Sequence, residues 1–286
     1  MDRLKIISLD NSIPHRHDQK LPRLAASHYL NSAPLIWSFI RGSRINTAEL
    51  IDAVPARCGQ MLSNGQVDGA LIPVIEYQRI PAIMLAPDVC VGSKGNVRSV
   101  VLVTRKDELK DVRSVALDHS SRTSVTLLKV VFREFLNIEP KWVSSAPDVD
   151  RMLSENDAAL IIGDPAMTFT RNDLRVFDMA SLWREFTGHG FAFAMWAMRA
   201  DRAELFGQID FAAARDEGLA RVEEIISHHE KEIRLSRKEL RAYLMQNITY
   251  RIDVSIEEGL KLYFDLAHRH GLIRQIRPLR FLPMID

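Results

Sequence analysis

Short apolar segments alternate with helical segments up to about residue 199, and this alternation constrains the fold more than any other feature of the sequence. Runs such as 67–74 (VDGALIPV) and 158–163 (AALIIG) are almost continuously apolar, which predicts strands buried on both faces of a sheet. Beyond residue 199 we predict helices only. Strands that alternate with helices are typical of parallel sheets, so the pattern predicts an α/β fold with two lobes and a cleft between them.

Composition excludes several classes of partner. The 286 residues include 38 Lys and Arg against 37 Asp and Glu, so the net charge offers no general attraction for nucleic acid or an anionic membrane. No apolar run approaches the roughly 20 residues that span a bilayer. Residues 1–20 read as a loose, flexible extension without the apolar core of a secretory signal, and we therefore expect a cytoplasmic protein.

The segment 113–128 (RSVALDHSSRTSVTLL) predicts a strand, a tight polar loop and the start of a helix. Free amide N–H groups at a helix start bind anions, and the side chains of the loop add polar groups to the same volume. These residues are Ser120, Ser121, Arg122, Thr123 and Ser124. The segment indicates a site for a carboxylate or phosphate. The alternative is that Ser120 or Ser121 merely caps the helix while Arg122 is solvated.

Other polar residues follow predicted strands at the edge where open α/β sheets bind their ligands. Asn31 lies between a predicted strand at 21–26 and a helix that begins near Pro34. Gly163 and Asp164 end another strand, and Asp164 reads as a helix N-cap first and as a ligand contact second. Ser99 lies where a glycine-flanked polar turn enters a strand predicted at 97–104.

The sequence contains no Walker loop, dinucleotide fingerprint or nucleophile elbow. The histidines at 228, 229, 268 and 270 lack the spacing of a metalloprotease helix, and we expect them on charged helix surfaces. Cys58 and Cys90 form neither a metal-like pattern nor a disulfide framework, which fits a reducing compartment. We expect no metal and no cofactor, and the sequence leaves the oligomeric state open.

Five segments together resemble the chorismate dehydratases of the futalosine route to menaquinone. They occur in the family's order between about residues 22 and 270, and the pairing of the first with the fourth is specific. The segments are 29–35 (YLNSAPL), 65–77 (GQVDGALIPVIEY), 97–100 (VRSV), 120–124 (SSRTS) and 162–166 (IGDPA).

This resemblance implies the type II periplasmic-binding-protein fold, with a first lobe of residues 21–104 and 200–286 and a second lobe of residues 105–199. Gly188 and Gly190 suit a chain that crosses between lobes. It also implies the conversion of chorismate to 3-[(1-carboxyvinyl)oxy]benzoate and water. Asn31 and Ser99 match the family's functional pair, and residues 120–124 match the loop beside a substrate carboxylate.

The residue inventory suits this reaction. Chorismate is a dianion whose ring becomes aromatic when a proton and the neighbouring hydroxyl leave, so the enzyme must mainly clamp and orient it. No carboxylate or histidine occurs at the matched functional positions, although His28 is close in sequence. We therefore hypothesise that the side-chain carboxylate of chorismate takes the ring proton. Lys94 and Asn96 replace residues that are often acidic and proline in the family, which bears on the shape of the turn before Ser99.

Three other functions have to be weighed against this one. The sister enzyme, 1,4-dihydroxy-6-naphthoate synthase, shares the fold but carries a proline-asparagine-aspartate-threonine segment where this chain has residues 30–33 (LNSA). A non-catalytic solute receptor would need an export signal. A ligand-sensing domain of a transcription regulator would need a helix-turn-helix region, for which the first 20 residues are too few.

Overall fold

A computed structural model describes residues 21–171 and 173–283, and the predicted extension at residues 1–20 lies outside this range. The strands are β1 (Arg23–Ala26), β2 (Glu49–Asp52), β3 (Gly69–Pro73), β4 (Ile83–Ser93), β5 (Val100–Thr104), β6 (Ser114–Asp118), β7 (Lys141–Ser145), β8 (Ala158–Ile162), β9 (Arg175–Asp178) and β10 (Phe191–Arg199). The helices are α1 (Ala33–Arg41), α2 (Pro55–Ser63), α3 (Glu76–Arg79), α4 (Thr123–Val130), α5 (Val149–Glu155), α6 (Pro165–Thr168), α7 (Met179–Thr187), α8 (Phe211–Ala220), α9 (Val222–His229), α10 (Arg237–Ala242) and α11 (Val254–Arg269). None of these helices is both long enough and apolar enough to cross a membrane.

The first sheet has the strand order β2-β1-β3-β10-β4. Strands β2 and β3 run parallel to β1, whereas β10 runs antiparallel to both of its neighbours. All five residues of β3 are buried, as its continuous apolar pattern predicts for a strand covered on both faces. The carboxyl ends of β1 and β3 therefore open at one edge, which places the residues after β1 at a ligand-binding edge.

The second sheet has the strand order β7-β6-β8-β5-β9. Strands β6, β7 and β8 are parallel, and β5 runs antiparallel to β8 and β9. The five residues of β8 and the five of β5 are all buried. Since β6 and β8 are parallel neighbours, the loops after Asp118 and Ile162 leave the sheet at the same edge.

The chain passes between the sheets twice. Residues 94–99, the first crossover, join β4 to β5, and residues 188–190, the second crossover, join α7 to β10. The predicted lobe boundaries at residues 104 and 199 each misplace one strand. The prediction put β5 in the first lobe and β10 in the second, whereas β5 belongs to the second sheet and β10 to the first. Gly188 has a φ of +77°, which the left-handed end of α7 requires.

The helices after residue 199 pack mainly against the first sheet. Helix α8 crosses α1 and also contacts β4, whereas α11 lies against β10 and against α4 of the second sheet. Tyr263 of α11 donates its hydroxyl to the carbonyl of Thr123 at 3.0 Å. The C-terminal helices therefore contact both lobes rather than only the first.

Candidate active site

A small cavity of about 60 Å³ lies between the two sheets at the carboxyl ends of β1, β3, β6 and β8. Its first-lobe wall is largely apolar and comes from β3, β4 and β10, with Leu71, Pro73, Val91, Phe193 and Ala194. Polar residues from both lobes complete the lining: Ser27, Tyr29, Asn31, Ser32, Ser121, Arg122, Thr123 and Ser124. An apolar wall that faces hydroxyl, amide and guanidinium groups suits a ring with acidic substituents.

The loop between β6 and α4 is held by the carboxylate of Asp118. Asp118 accepts hydrogen bonds from the Ser120 backbone N–H at 2.9 Å and from the Ser120 hydroxyl at 2.6 Å. Arg122 occupies the N-cap position, and no side chain caps α4, so the capping alternative is wrong. The first amides of α4 remain available to an anion at the cavity.

Four predicted residues of this loop line the cavity, and one does not. Ser121, Thr123 and Ser124 are buried in its wall, and the exposed Arg122 contributes a positive charge. Ser120 is also buried, but its hydroxyl is used by Asp118 and its carbonyl accepts the Ala56 N–H at 3.0 Å. Ser120 thus braces the loop and joins the lobes, outside the cavity lining.

Asn31 lies in a short 3-10 turn, residues 30–32, between β1 and α1. Its amide lines the cavity, and its Oδ1 accepts the Ser32 hydroxyl at 3.2 Å. The neighbouring His28 does not line the cavity. Its Nδ1 lies 2.6 Å from Asp52 Oδ1, and this hydrogen bond raises the pKa of His28. The imidazole is therefore paired with Asp52 on the outer side of β1.

Ser99 ends the first crossover and is completely buried behind the cavity wall formed by Val100. The crossover is held by Asp178, whose carboxylate accepts the backbone N–H groups of Val97 at 3.1 Å and Arg98 at 2.7 Å. The Ser99 hydroxyl makes a long contact of 3.4 Å with the Val97 carbonyl. Such a weak hydrogen bond leaves that hydroxyl free to turn toward another partner.

The two unusual residues of this turn have structural partners. Lys94 forms an ion pair with Asp253 at the start of α11, and its carbonyl accepts from Arg184. The carbonyl of Asn96 accepts the side-chain amide of Asn247 at 2.9 Å. The crossover is thus tied to helices of both lobes.

Gly163 and Asp164 form a contact between the lobes. Gly163 has a φ of +71°, and an added Cβ would lie 2.7 Å from the ring of Tyr29, so glycine is required on both counts. Asp164 lies at the N-cap position of α6, but it does not cap that helix. Its carboxylate instead accepts the Leu30 N–H of the first lobe at 3.1 Å, and burial raises the pKa of Asp164 to about 6.

These contacts bring most of the predicted site residues together. Asn31, Ser121, Arg122, Thr123, Ser124 and Gly163 line the cavity, whereas Ser99, Ser120 and Asp164 adjoin it without lining it. The sequence analysis did not predict the apolar wall. It included Tyr29 in the matched segment 29–35 but did not assign it a role. The signal for Tyr29 was its place directly before Leu30 and Asn31, at the end of a buried strand.

The cavity is much smaller than the roughly 300–1,000 Å³ of ordinary ligand sites. Hydrogen bonds from Leu30 to Asp164 and from Ala56 to Ser120 hold its two walls together. Entry of a ligand the size of a substituted ring therefore requires the lobes to separate. A larger groove of about 550 Å³, beside Phe206 and Phe211 on the first lobe, lies outside this cleft.

The two sheets, two crossovers and intervening polar cleft define a two-lobed α/β protein of the periplasmic-binding-protein type. Residues 22–269 match the family described as menaquinone biosynthesis, and the chain belongs to that family. It is 29% identical over 261 residues to a chorismate dehydratase from Thermus thermophilus, with 85% of this chain and 93% of that protein aligned.

Solved structures share the fold at low sequence identity. Protein AF1704 from Archaeoglobus fulgidus aligns with a TM-score of 0.73 at 19% identity, over 90% of this chain and all of that one. The periplasmic aliphatic sulphonate binding protein SsuA from Escherichia coli aligns with a TM-score of 0.60 at 16% identity, over 94% of this chain and 96% of that one. At these identities the likeness concerns the fold alone.

Proposed function

We propose that this protein is a chorismate dehydratase, a carbon-oxygen lyase of menaquinone biosynthesis. The observation that carries the proposal is the match of residues 22–269 to the menaquinone biosynthesis family. The chorismate dehydratase of Thermus thermophilus, which aligns over most of both chains, supports the particular reaction. The polar cleft between the lobes supplies a place for a small dianionic substrate.

In this proposal the start of α4 binds the ring carboxylate of chorismate. The uncapped amides attract a negative charge, and the hydroxyls of Ser121, Thr123 and Ser124 donate hydrogen bonds to it. Arg122 balances part of the second charge at the exposed rim. The apolar wall with Phe193 packs against the ring, so both carboxylates are directed to the polar side.

Asn31 and Ser99 orient the enolpyruvyl arm and the leaving hydroxyl. The ring carbon that bears the enolpyruvyl ether loses its proton, the C–O bond of the neighbouring hydroxyl breaks, and the ring becomes aromatic. The side-chain carboxylate of the substrate accepts the proton and passes it to the departing hydroxide, which leaves as water. Orientation therefore supplies most of the catalysis. Because the elimination involves no net oxidation, we propose that it needs no cofactor.

We also propose a cytoplasmic location and a single small-molecule substrate. Both cysteines are buried and unpaired, which suits a reducing compartment. We also assign Gly163 and Asp164 to substrate binding, since they form the contact between the lobes beside the proposed substrate position.

Incubation of purified protein with chorismate, followed by chromatography and mass spectrometry, tests the proposal. We expect a product lighter by one water, with the ultraviolet absorption of a substituted benzoate. Tight binding without turnover would favour a solute receptor of the same fold. Turnover only of the naphthalenoid precursor would favour the sister synthase.

A pair of variants tests the roles of the residues. We expect Asn31→Ala to lower kcat by roughly 100-fold, because a positioned polar group at the reacting atoms is lost. The matched variant His28→Ala removes a titratable side chain three positions away that is paired with Asp52 outside the cavity. It should keep kcat within about 3-fold of the wild type, since each factor of ten requires about 1.4 kcal/mol. A near-complete loss in His28→Ala, or activity gained in Asn31→Asp, would contradict the substrate-assisted mechanism.

A further inference from the structure

Tyr243 is a buried polar residue that lies next to the candidate active site without an evident role there. Its side chain is 0% exposed, and within the part of the chain that the structure describes its hydroxyl has no hydrogen-bond partner. An unpaired buried hydroxyl costs free energy that a phenylalanine would avoid. Groups of this kind are uncommon in folded proteins and call for an explanation.

The groups around this hydroxyl are those of the site. The side chains of Ser99 and Asn31 face it closely enough to lower its pKa, while burial raises that pKa above the ordinary 10.0. Neither side chain forms a hydrogen bond of normal geometry with it. Since the net pKa is raised, the phenol keeps its proton and serves as a donor. The carboxylate of Asp164 also raises the pKa of this phenol, and the guanidinium of Arg98 lowers it.

The surrounding structure fixes Tyr243 relative to the first crossover. Tyr243 begins a π-helical turn, residues 243–247, that continues α10, and such turns are frequent at functional sites. Asn247, at the end of this turn, donates to the Asn96 carbonyl of the crossover at 2.9 Å. Just beyond the turn, Thr249 exchanges backbone hydrogen bonds with Gly92 of β4 at 2.8 and 2.9 Å. These bonds attach the turn that carries Tyr243 to β4 and to the first crossover, which ends at Ser99 and leads into the second sheet.

The Ser99 hydroxyl needs such a partner. Its only hydrogen bond among the described residues is the 3.4 Å contact with Val97, which is too long to fix its direction. Rotation about χ1 of Ser99 moves its Oγ, and a serine hydroxyl can accept from a phenol while it donates elsewhere. A hydrogen bond from the Tyr243 phenol to Ser99 Oγ would therefore pair the buried phenol and fix the direction of the Ser99 hydroxyl.

We propose that Tyr243 is a positioning residue, whose hydroxyl donates a hydrogen bond to Ser99 Oγ and directs Ser99 and Asn31 toward the leaving hydroxyl of the substrate. This inference rests on the proposed dehydration of chorismate. Tyr243 does not line the cavity and acts through the two side chains that adjoin or line it. Tyr243 belongs to the C-terminal helices and lies more than 140 residues after Ser99 in the sequence. A distant segment of the chain thus orients Ser99.

Tyr243→Phe tests the proposal, with Tyr250→Phe as its matched control. Tyr250 is also buried, and its hydroxyl is likewise unpaired within the described residues, but its neighbours are Tyr243 and Cys90 rather than Ser99 and Asn31. We expect Tyr243→Phe to lower kcat by at least about 10-fold with KM changed less than about 2-fold, because only the orientation of reacting groups is lost. Its melting temperature should fall by no more than about 4 °C, because a single hydrogen bond contributes only about 1 kcal/mol. Tyr250→Phe should leave kcat and KM unchanged.

A double-mutant cycle with Ser99→Ala identifies the route of the effect. If Tyr243 acts through Ser99, Tyr243→Phe will cause no further loss of kcat in the Ser99→Ala background. A kcat for Tyr243→Phe within 2-fold of the wild type, equal losses in Tyr243→Phe and Tyr250→Phe, or additive losses with Ser99→Ala would each overturn the inference. An inactive wild type would overturn the proposed dehydration itself, which distinguishes the two failures.

Discussion

At the scale of single residues, Asp164 is the group whose chemistry depends most on the closed cleft. Burial raises its pKa from 3.8 to about 6, so the folded protein binds a proton more tightly than the unfolded chain does. The stabilising contribution of the protonated carboxyl is complete below about pH 4 and is lost as the pH rises through about 6. At neutral pH the ionised carboxylate, which accepts only the Leu30 N–H among residues 21–171 and 173–283, lowers stability.

Asp164→Asn should therefore stabilise the protein at pH 7.5. Asparagine keeps an oxygen that accepts the Leu30 N–H but cannot ionise. We expect the free energy of unfolding, measured with urea, to rise by roughly 1–2 kcal/mol at pH 7.5 and by little at pH 4.5. Asp111→Asn, at an exposed position outside the α-helices, is the matched control and should change either value by less than about 0.5 kcal/mol. An equal gain at both pH values would show that ionisation is not the cause.

Several site residues could be predicted from sequence because their position follows from local rules. Asn31 and the residues 121–124 come directly after buried strands, and parallel strands end at one edge of a sheet. The sequence could not distinguish Ser120, whose hydroxyl turns to Asp118, from Ser121, which faces the cavity. That choice depends on the loop conformation. Tyr243 could not be found at all, because its helix reads only as an amphipathic packing element.

At the scale of elements, the crossing of α1 and α8 depends on one glycine. Gly218 of α8 lies against α1 so closely that an added Cβ would overlap the backbone carbonyl of Pro34. Backbone atoms cannot move aside as a side chain can, so the helices would have to separate. The interface is also held by Glu217, which accepts hydrogen bonds from the hydroxyls of Ser38 and Ser43 at 2.6 Å.

We expect Gly218→Ala to lower the free energy of unfolding by about 1–3 kcal/mol, although alanine is the better helix former. Gly207→Ala is the matched control, since a Cβ there would meet only the Glu204 carbonyl at an ordinary 3.5 Å. Urea unfolding monitored by fluorescence measures both. If Gly218→Ala were as stable as Gly207→Ala, the close approach of α8 to α1 would be incorrect.

The elements that sequence analysis missed are those whose burial is incomplete. Strands β2 and β9 are edge strands, and none of their residues is buried, so neither shows a continuous apolar run. Their existence depends on pairing with β1 and β5 rather than on local pattern. Residues 83–93 show only a short apolar stretch followed by the start of a polar, glycine-flanked turn, but β4 continues through them with two irregularities in its pairing to β10.

For the molecule as a whole, the lobes have to open before the substrate enters, because the cavity between them is small. Opening breaks the hydrogen bonds of the Leu30 and Ala56 amides across the cleft. Because chorismate contacts both walls, its binding should slow hydrogen exchange at these amides by at least about 10-fold. The Leu160 amide, in the centre of the second sheet, is the internal control and should exchange at the same rate with and without chorismate. Unchanged exchange at Leu30 and Ala56 would contradict closure around the substrate.

A crystal structure of the protein with 3-[(1-carboxyvinyl)oxy]benzoate, the proposed product, would show where the substrate binds. We expect the product between the two sheets. Its ring carboxylate should lie about 3 Å from the first amides of α4, and its enolpyruvyl arm beside Asn31 and Ser99. Binding in the larger groove beside Phe206 and Phe211 would contradict the assignment of the inter-lobe cavity as the active site.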